Sequence, residues 1–176
     1  MLAHYETTAE EIWRDTKGRI THFVAGIGTT GTLMGVSKRL KEYNPDIQIT
    51  AVQPENGTSI QGLKNLETQY VPVIWKKELV DEIYKVHPKK AEEAARLLTL
   101  QEGIFVGPSS GAIFHIALKK ASEIDKGVMV AFASDGGEKY LSTKLCDPIL
   151  CLKCARKYGI RCAYVDGRPV SKSPSK

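Results

Sequence analysis

The sequence predicts an α/β fold, a three-layer αβα arrangement around a mainly parallel sheet. Three observations carry this. Short apolar strand-like runs alternate with longer segments of helical periodicity. Strand, helix and strand fall within about 33 residues near the N-terminus, the length of a βαβ unit. A turn rich in Gly and Thr joins the first of those strands to its helix.

The elements follow in order. Thr7 or Thr8 is placed to cap a first helix, with Glu10 and Glu11 in its first turn and a stop at Gly18. "ITHFVA" (20–25) reads as a buried strand. A helix is expected from Gly31 to Tyr43, with Leu33, Val36 and Leu40 on one face, ending before Asn44-Pro45. "IQITAVQ" (47–53) is the next strand, and residues 54–75 form an irregular, functional loop. "VDEIYKVH" (80–87) reads as a strand and 89–103 as a helix with a glycine stop. Residues 104–123 read as a short strand, a Ser-Gly turn and a helix. "GVMVAFAS" (127–134) reads as a fully buried strand running into Asp135-Gly136-Gly137. Apolar periodicity fades from Asp147, and the terminal "SKSPSK" is expected to be disordered.

Composition is that of a globular domain, with 42% apolar and 26% charged residues among 176. The net charge of +5 is unevenly placed: residues 151–176 hold seven Lys or Arg and one Asp, so the first 150 residues sum to −1. A generally basic nucleic-acid face is therefore not expected. No apolar run reaches the length of a membrane span, and "MLAHYETTAEEIW" lacks the pattern of a signal peptide. A cytoplasmic protein is the expectation.

"FVAGIGTTGTLMGV" (23–36) is the most informative stretch. Gly26-Ile27-Gly28-Thr29-Thr30-Gly31 fits G-x-G-x-x-G between strand and helix, and Glu55 follows the next strand where a dinucleotide fold has its ribose acid. That is one reading. A terminal phosphate monoester is the other, because its three acceptor oxygens call for hydroxyls as well as helix-start N–H groups. Gly28-Thr29-Thr30-Gly31-Thr32 supplies both. A plain capped turn needs fewer such residues. "GPSSGA" (107–112) also joins a strand to a helix; taken alone it reads as a serine N-cap.

All four cysteines, Cys146, Cys151, Cys154 and Cys162, lie in the last 31 residues. Reduced thiols are the favoured reading. A zinc site, for which Cys-x2-Cys is the usual half, comes second and an iron–sulfur cluster third. His22 and His115 sit within a strand and a helix face and read as core or interface residues.

Taken together, "HYETT…EIW", "ITHFVAGIGTTGTLMGV", "EGIFVGPSSGA" and "GGEKYLST" resemble the cysteine synthases, the O-acetylserine sulfhydrylases among the fold-type II pyridoxal-phosphate enzymes. The segments occur in family order over residues 3–145. The resemblance implies pyridoxal 5'-phosphate as cofactor, with Gly28, Thr29, Thr30, Gly31 and Thr32 around its phosphate and Ser109 at its pyridine nitrogen. A neutral hydroxyl there leaves a shallower electron sink than a carboxylate would, which suits β-elimination and β-replacement. The implied reaction makes L-cysteine from O-acetylserine or O-phosphoserine and sulfide. "TSIQGLKNLETQYVP" looks more like the B-type enzymes, and Lys64 falls where they carry a basic residue near the substrate. Ser134 and Asp135 are weaker candidates for ring contacts.

The resemblance also implies an incomplete large domain. Neither the family's Schiff-base lysine motif nor its Asn/Thr/Ser carboxylate-binding loop occurs in this sequence, so no catalytic residue is assigned. Residues 1–146 match the C-terminal part of the synthase domain, and 147–176 form a cysteine-containing basic tail. Ala9-Glu10 stands where the family has Gly-Pro. The chain alone is expected not to synthesise cysteine, and to expose apolar surface that the other half would cover. A homodimer is implied for the whole enzyme, with neither nucleic acid nor membrane as partner. A non-catalytic binding or regulatory protein and a nicotinamide-dinucleotide domain are the alternatives.

Overall fold

The computed structural model describes residues 1–160 and two short strands beyond them. The main sheet has the order β3-β2-β1-β4, all parallel, formed by β1 (His22–Gly26), β2 (Gln48–Pro54), β3 (Glu82–Val86) and β4 (Met129–Ala131). Phe23 pairs with Ile49 and Ala25 with Ala51, so their side chains share one face of the sheet. Helices α1 (Ala9–Asp15) and α2 (Gly31–Tyr43) cover that face, burying Leu33, Val36 and Leu40 as expected. Val24 and Val52 point to the other face, against Ile113 and Ile116 of α4 (Pro108–Ala121). Helix α3 (Pro88–Glu102) packs beside α4. The three-layer expectation therefore holds. Each fully buried Leu or Ile in these layers contributes about 1.5–3 kcal/mol over its exposed state.

Several sequence expectations need correction. The first helix does not begin at a threonine cap. A π-helical turn, His4–Thr8, runs directly into α1, and Thr8 makes no side-chain capping bond. Thr7 Oγ1 instead donates back to Ala3 O at 2.8 Å, the alternative use of a hydroxyl inside a helix. Residues 104–106 yield only an isolated antiparallel bridge, Val106 with Gly136. The strand expected over 127–134 is three residues long and half-buried, because β4 is the sheet edge and pairs only with β1 among the described residues. Apolar side chains also stand exposed in the 54–75 loop, with Val73 90% and Tyr70 68% accessible.

The tail holds a helix where periodicity had faded: α5 (Pro148–Lys157). Its signal is Asp147-Pro148. The Asp147 carboxylate accepts from Ile149 N at 2.8 Å and Leu150 N at 3.4 Å, while proline sits at the first helical position. Asp147→Ala is expected to cost about 1 kcal/mol. Faster hydrogen exchange confined to the α5 amides would report it. Strands β5 (Tyr164–Val165) and β6 (Arg168–Pro169) pair antiparallel as a separate ribbon. No described helix is long and apolar enough to cross a membrane.

Candidate functional site

The site lies at the C-terminal end of the parallel strands, where three segments converge. The first is the turn from β1 into α2. Ile27 is buried and fixes the turn from both sides: its N–H donates to Val52 O at 2.8 Å, and its carbonyl accepts from Lys64 N at 2.6 Å. The second segment, residues 60–64, lies directly against the first. A Cβ on Gly28 would sit 2.8 Å from Gly62 O, and one on Gly26 2.4 Å from a Leu63 methyl. The third is the start of α4. A Cβ on Gly62, itself at φ +89°, would sit 3.2 Å from Ser109 Oγ. These close approaches explain why glycines occupy the turn.

The resulting cavity, of about 210 Å³, is lined by Gly28 to Leu33 together with Gly62, Leu63, Phe132 and Ser134. All five expected phosphate-turn residues, Gly28, Thr29, Thr30, Gly31 and Thr32, border it. They are not equivalent. Thr29 is exposed at the mouth. Thr30 is 2% exposed, takes the left-handed conformation at φ 66°, and has a buried Oγ1 with no hydrogen-bond partner. A buried orphan hydroxyl at the first turn of a helix, beside open N–H groups, fits an anionic oxygen. Thr32 Oγ1 lies 3.1 Å from His4 Nε2, and His4 Nδ1 lies 3.0 Å from Thr8 Oγ1. His4 is thus a second support of the turn. No local pattern around it indicated that role.

Ser109 is 3% exposed in the first turn of α4, facing Gly62. Its neighbour Ser110 ties the helix to the end of the sheet by accepting from Ser134 N at 3.0 Å. Asp135 sits behind this turn. Its Oδ2 accepts from Tyr140 OH at 2.7 Å, while Oδ1 is buried without a partner. Burial, and then this carboxylate, push the Tyr140 phenol up to about 12. Lys64 joins the site through its backbone only and does not line the cavity. Two residues that secure the loop had no sequence signal. Asn65 Nδ2 donates to Pro54 O at 2.9 Å, and Gln53 Oε1 accepts from Leu66 N at 3.0 Å. Among the remaining histidines, His87 caps α3 by accepting from Lys89 N, and burial pushes His22 and His115 down.

The described residues do not bring three metal-capable side chains together, and Cys162 lies outside them. Burial raises the thiols of Cys146 and Cys154, with Arg96 pulling the other way. Cys146 and Cys151 share an apolar cavity of about 260 Å³ between α3 and the tail.

A Gly/Thr turn after a parallel strand, with an orphan hydroxyl at the helix start, is the arrangement expected of an α/β phosphate-binding protein. Comparison with known proteins makes this specific. The chain belongs to the pyridoxal-phosphate dependent enzyme family, whose model matches residues 1–135. It is 44% identical over 146 residues to cysteine synthase B of Pseudomonas aeruginosa, covering 83% of this chain and 49% of that one. It is 47% identical over 141 residues to cysteine synthase B of Escherichia coli, covering 80% and 46%. The crystal structure of O-ureido-L-serine synthase superposes with a TM-score of 0.77 at 38% identity, over 83% of this chain and 49% of the other. A cysteine synthase structure from Entamoeba histolytica gives 0.75 at 39% identity, over 82% and 45%. The chain thus spans about half the length of the relatives it matches.

Proposed function

We propose that this chain is the cofactor-phosphate half of a cysteine synthase making L-cysteine from an O-activated serine and sulfide. The orphan Thr30 hydroxyl at the α2 N-terminus is the observation that carries the reading. Pyridoxal phosphate, when bound, supplies the electron sink for loss of the serine leaving group. The Thr and helix N–H groups hold its phosphate, with His4 fixing the orientation of Thr32. Ser109 offers the ring nitrogen a neutral hydroxyl. The 60–64 loop, held to Ile27, closes one wall and limits water. O-phosphoserine and O-acetylserine are both candidate donors, and Lys64, whose side chain does not line the cavity, favours neither. The whole enzyme is read as a homodimer acting on small molecules.

Binding separates this from a dinucleotide domain. The test ligand is pyridoxine 5'-phosphate, which lacks the aldehyde that would react with surface lysines. By calorimetry it is expected to bind, unphosphorylated pyridoxine and NAD to bind far more weakly. Tight NAD binding without pyridoxine 5'-phosphate binding would overturn the reading. The chain alone is expected to show no cysteine synthesis, since no residue here is placed as the general base. Turnover by purified chain would refute that expectation.

A further inference from the structure

We infer that the groove between α3 and α5 is a second anion site, built for a small ligand carrying a diphosphate group. The groove encloses about 470 Å³, far more than a single phosphate needs. Five cations line it: Lys89, Arg96, Lys144, Lys153 and Lys157. Only Glu92 and Glu93 face them. Both carboxylates are already engaged. Glu93 pairs with Lys157, accepts from Tyr158 OH at 3.1 Å and lies 4.0 Å from Lys90 Nζ, and Glu92 lies 3.7 Å from Arg96. Lys89, Lys144 and Lys153 have no carboxylate partner among the described residues.

Arg96 is the independent observation. Its side chain is 10% exposed, and one terminal nitrogen donates to Lys144 O at 3.1 Å and Leu145 O at 3.2 Å. Its Nε is buried with no acceptor. Glu92 and these two carbonyls fix the guanidinium in a poorly solvated wall that still has an N–H unsatisfied, and the groove beside it holds more positive charge than its two carboxylates balance. Three unpaired lysines beside it exceed what one monoanion neutralises, which points to a polyanion. Pro88 and Leu150 add an apolar margin that accommodates a compact body attached to the diphosphate. One wall, α5, lies outside the residues that the family model matches, so the groove is separate from the Thr30 cavity and its cofactor.

The test is calorimetric titration of the 176-residue chain with inorganic pyrophosphate at low salt, with pyridoxine 5'-phosphate present to occupy the first site. Pyrophosphate is expected to bind one per chain, tighter than orthophosphate, and to weaken severalfold as salt rises from about 50 to about 200 mM. The double variant Lys89→Ala, Lys153→Ala removes two exposed lysines and is expected to weaken it about tenfold or more. The same variant should bind pyridoxine 5'-phosphate as the parent does. That second titration separates failure of the groove from failure of the cofactor site. Pyrophosphate binding that survives the double substitution overturns the assignment. So does absence of binding, or binding of a single-stranded oligonucleotide with none of pyrophosphate.

Discussion

Thr30→Val is expected to raise the stability of the ligand-free chain while weakening pyridoxine 5'-phosphate binding about tenfold to a hundredfold. Valine keeps the branched shape, so the strained φ of 66° and the packing at 2% exposure change little. Only the hydroxyl is lost. In the empty site that hydroxyl is buried and has no partner. Its removal relieves a desolvation cost of about 1–3 kcal/mol. With a phosphate present the same hydroxyl donates to a charged acceptor, an interaction of about 1.5–3 kcal/mol, and each 1.4 kcal/mol is about a tenfold change. Opposite signs in denaturant unfolding and calorimetric binding are therefore the signature. Thr29→Val, at the exposed mouth, is the control and should leave stability within about 0.5 kcal/mol. A Thr30→Val chain that loses stability would show the residue to be structural, and the phosphate assignment would lose its main support.

Thr30 also shows why much of this site is legible in the sequence. A strand, a Gly/Thr turn and a helix are contiguous, so chemistry and geometry are encoded within ten residues, Gly26 to Gly35. Ser109 was legible only through the resemblance, because its own turn reads as a serine N-cap and the strand expected before it is an isolated bridge. The illegible parts are long-range. His4 reaches Thr32 across 28 positions, and Asn65 is fixed by a carbonyl 11 positions earlier. Neither has a local periodicity to betray it. The half-buried state of β4 depends on its being an edge, which pairing alone decides. The α5 helix was legible in principle from Asp147-Pro148 but is too short for its apolar period to stand out.

Gly111→Ala is the substitution expected to do most damage to the fold, although local propensity argues the other way. In an exposed helix interior, Gly to Ala gains about 1 kcal/mol. At Gly111 the added Cβ would lie 2.1 Å from Ala91 O, 2.8 Å from Ala95 Cβ and 2.9 Å from Ala95 N. These neighbours are the backbone and first carbon of α3, which cannot rotate away. Helices α3 and α4 must separate, and overpacking of this kind costs about 1–3 kcal/mol or more, outweighing the propensity gain. The net expectation is a loss of about 2 kcal/mol in denaturant unfolding, set against Leu118→Ala on the exposed face of the same helix at within about 0.5 kcal/mol. The displacement also reaches the site. Ser109 and Ser110 begin α4 two residues and one residue before Gly111, and Ser110 holds Ser134 N at 3.0 Å. A shifted α4 therefore moves the hydroxyl proposed for the ring nitrogen while leaving the Thr30 turn in place. Binding of pyridoxine 5'-phosphate should fall less than in Thr30→Val, because the phosphate contacts survive. An unchanged unfolding midpoint in Gly111→Ala would mean that the two helices yield without cost, and the rigid placement of Ser109 would have to be given up.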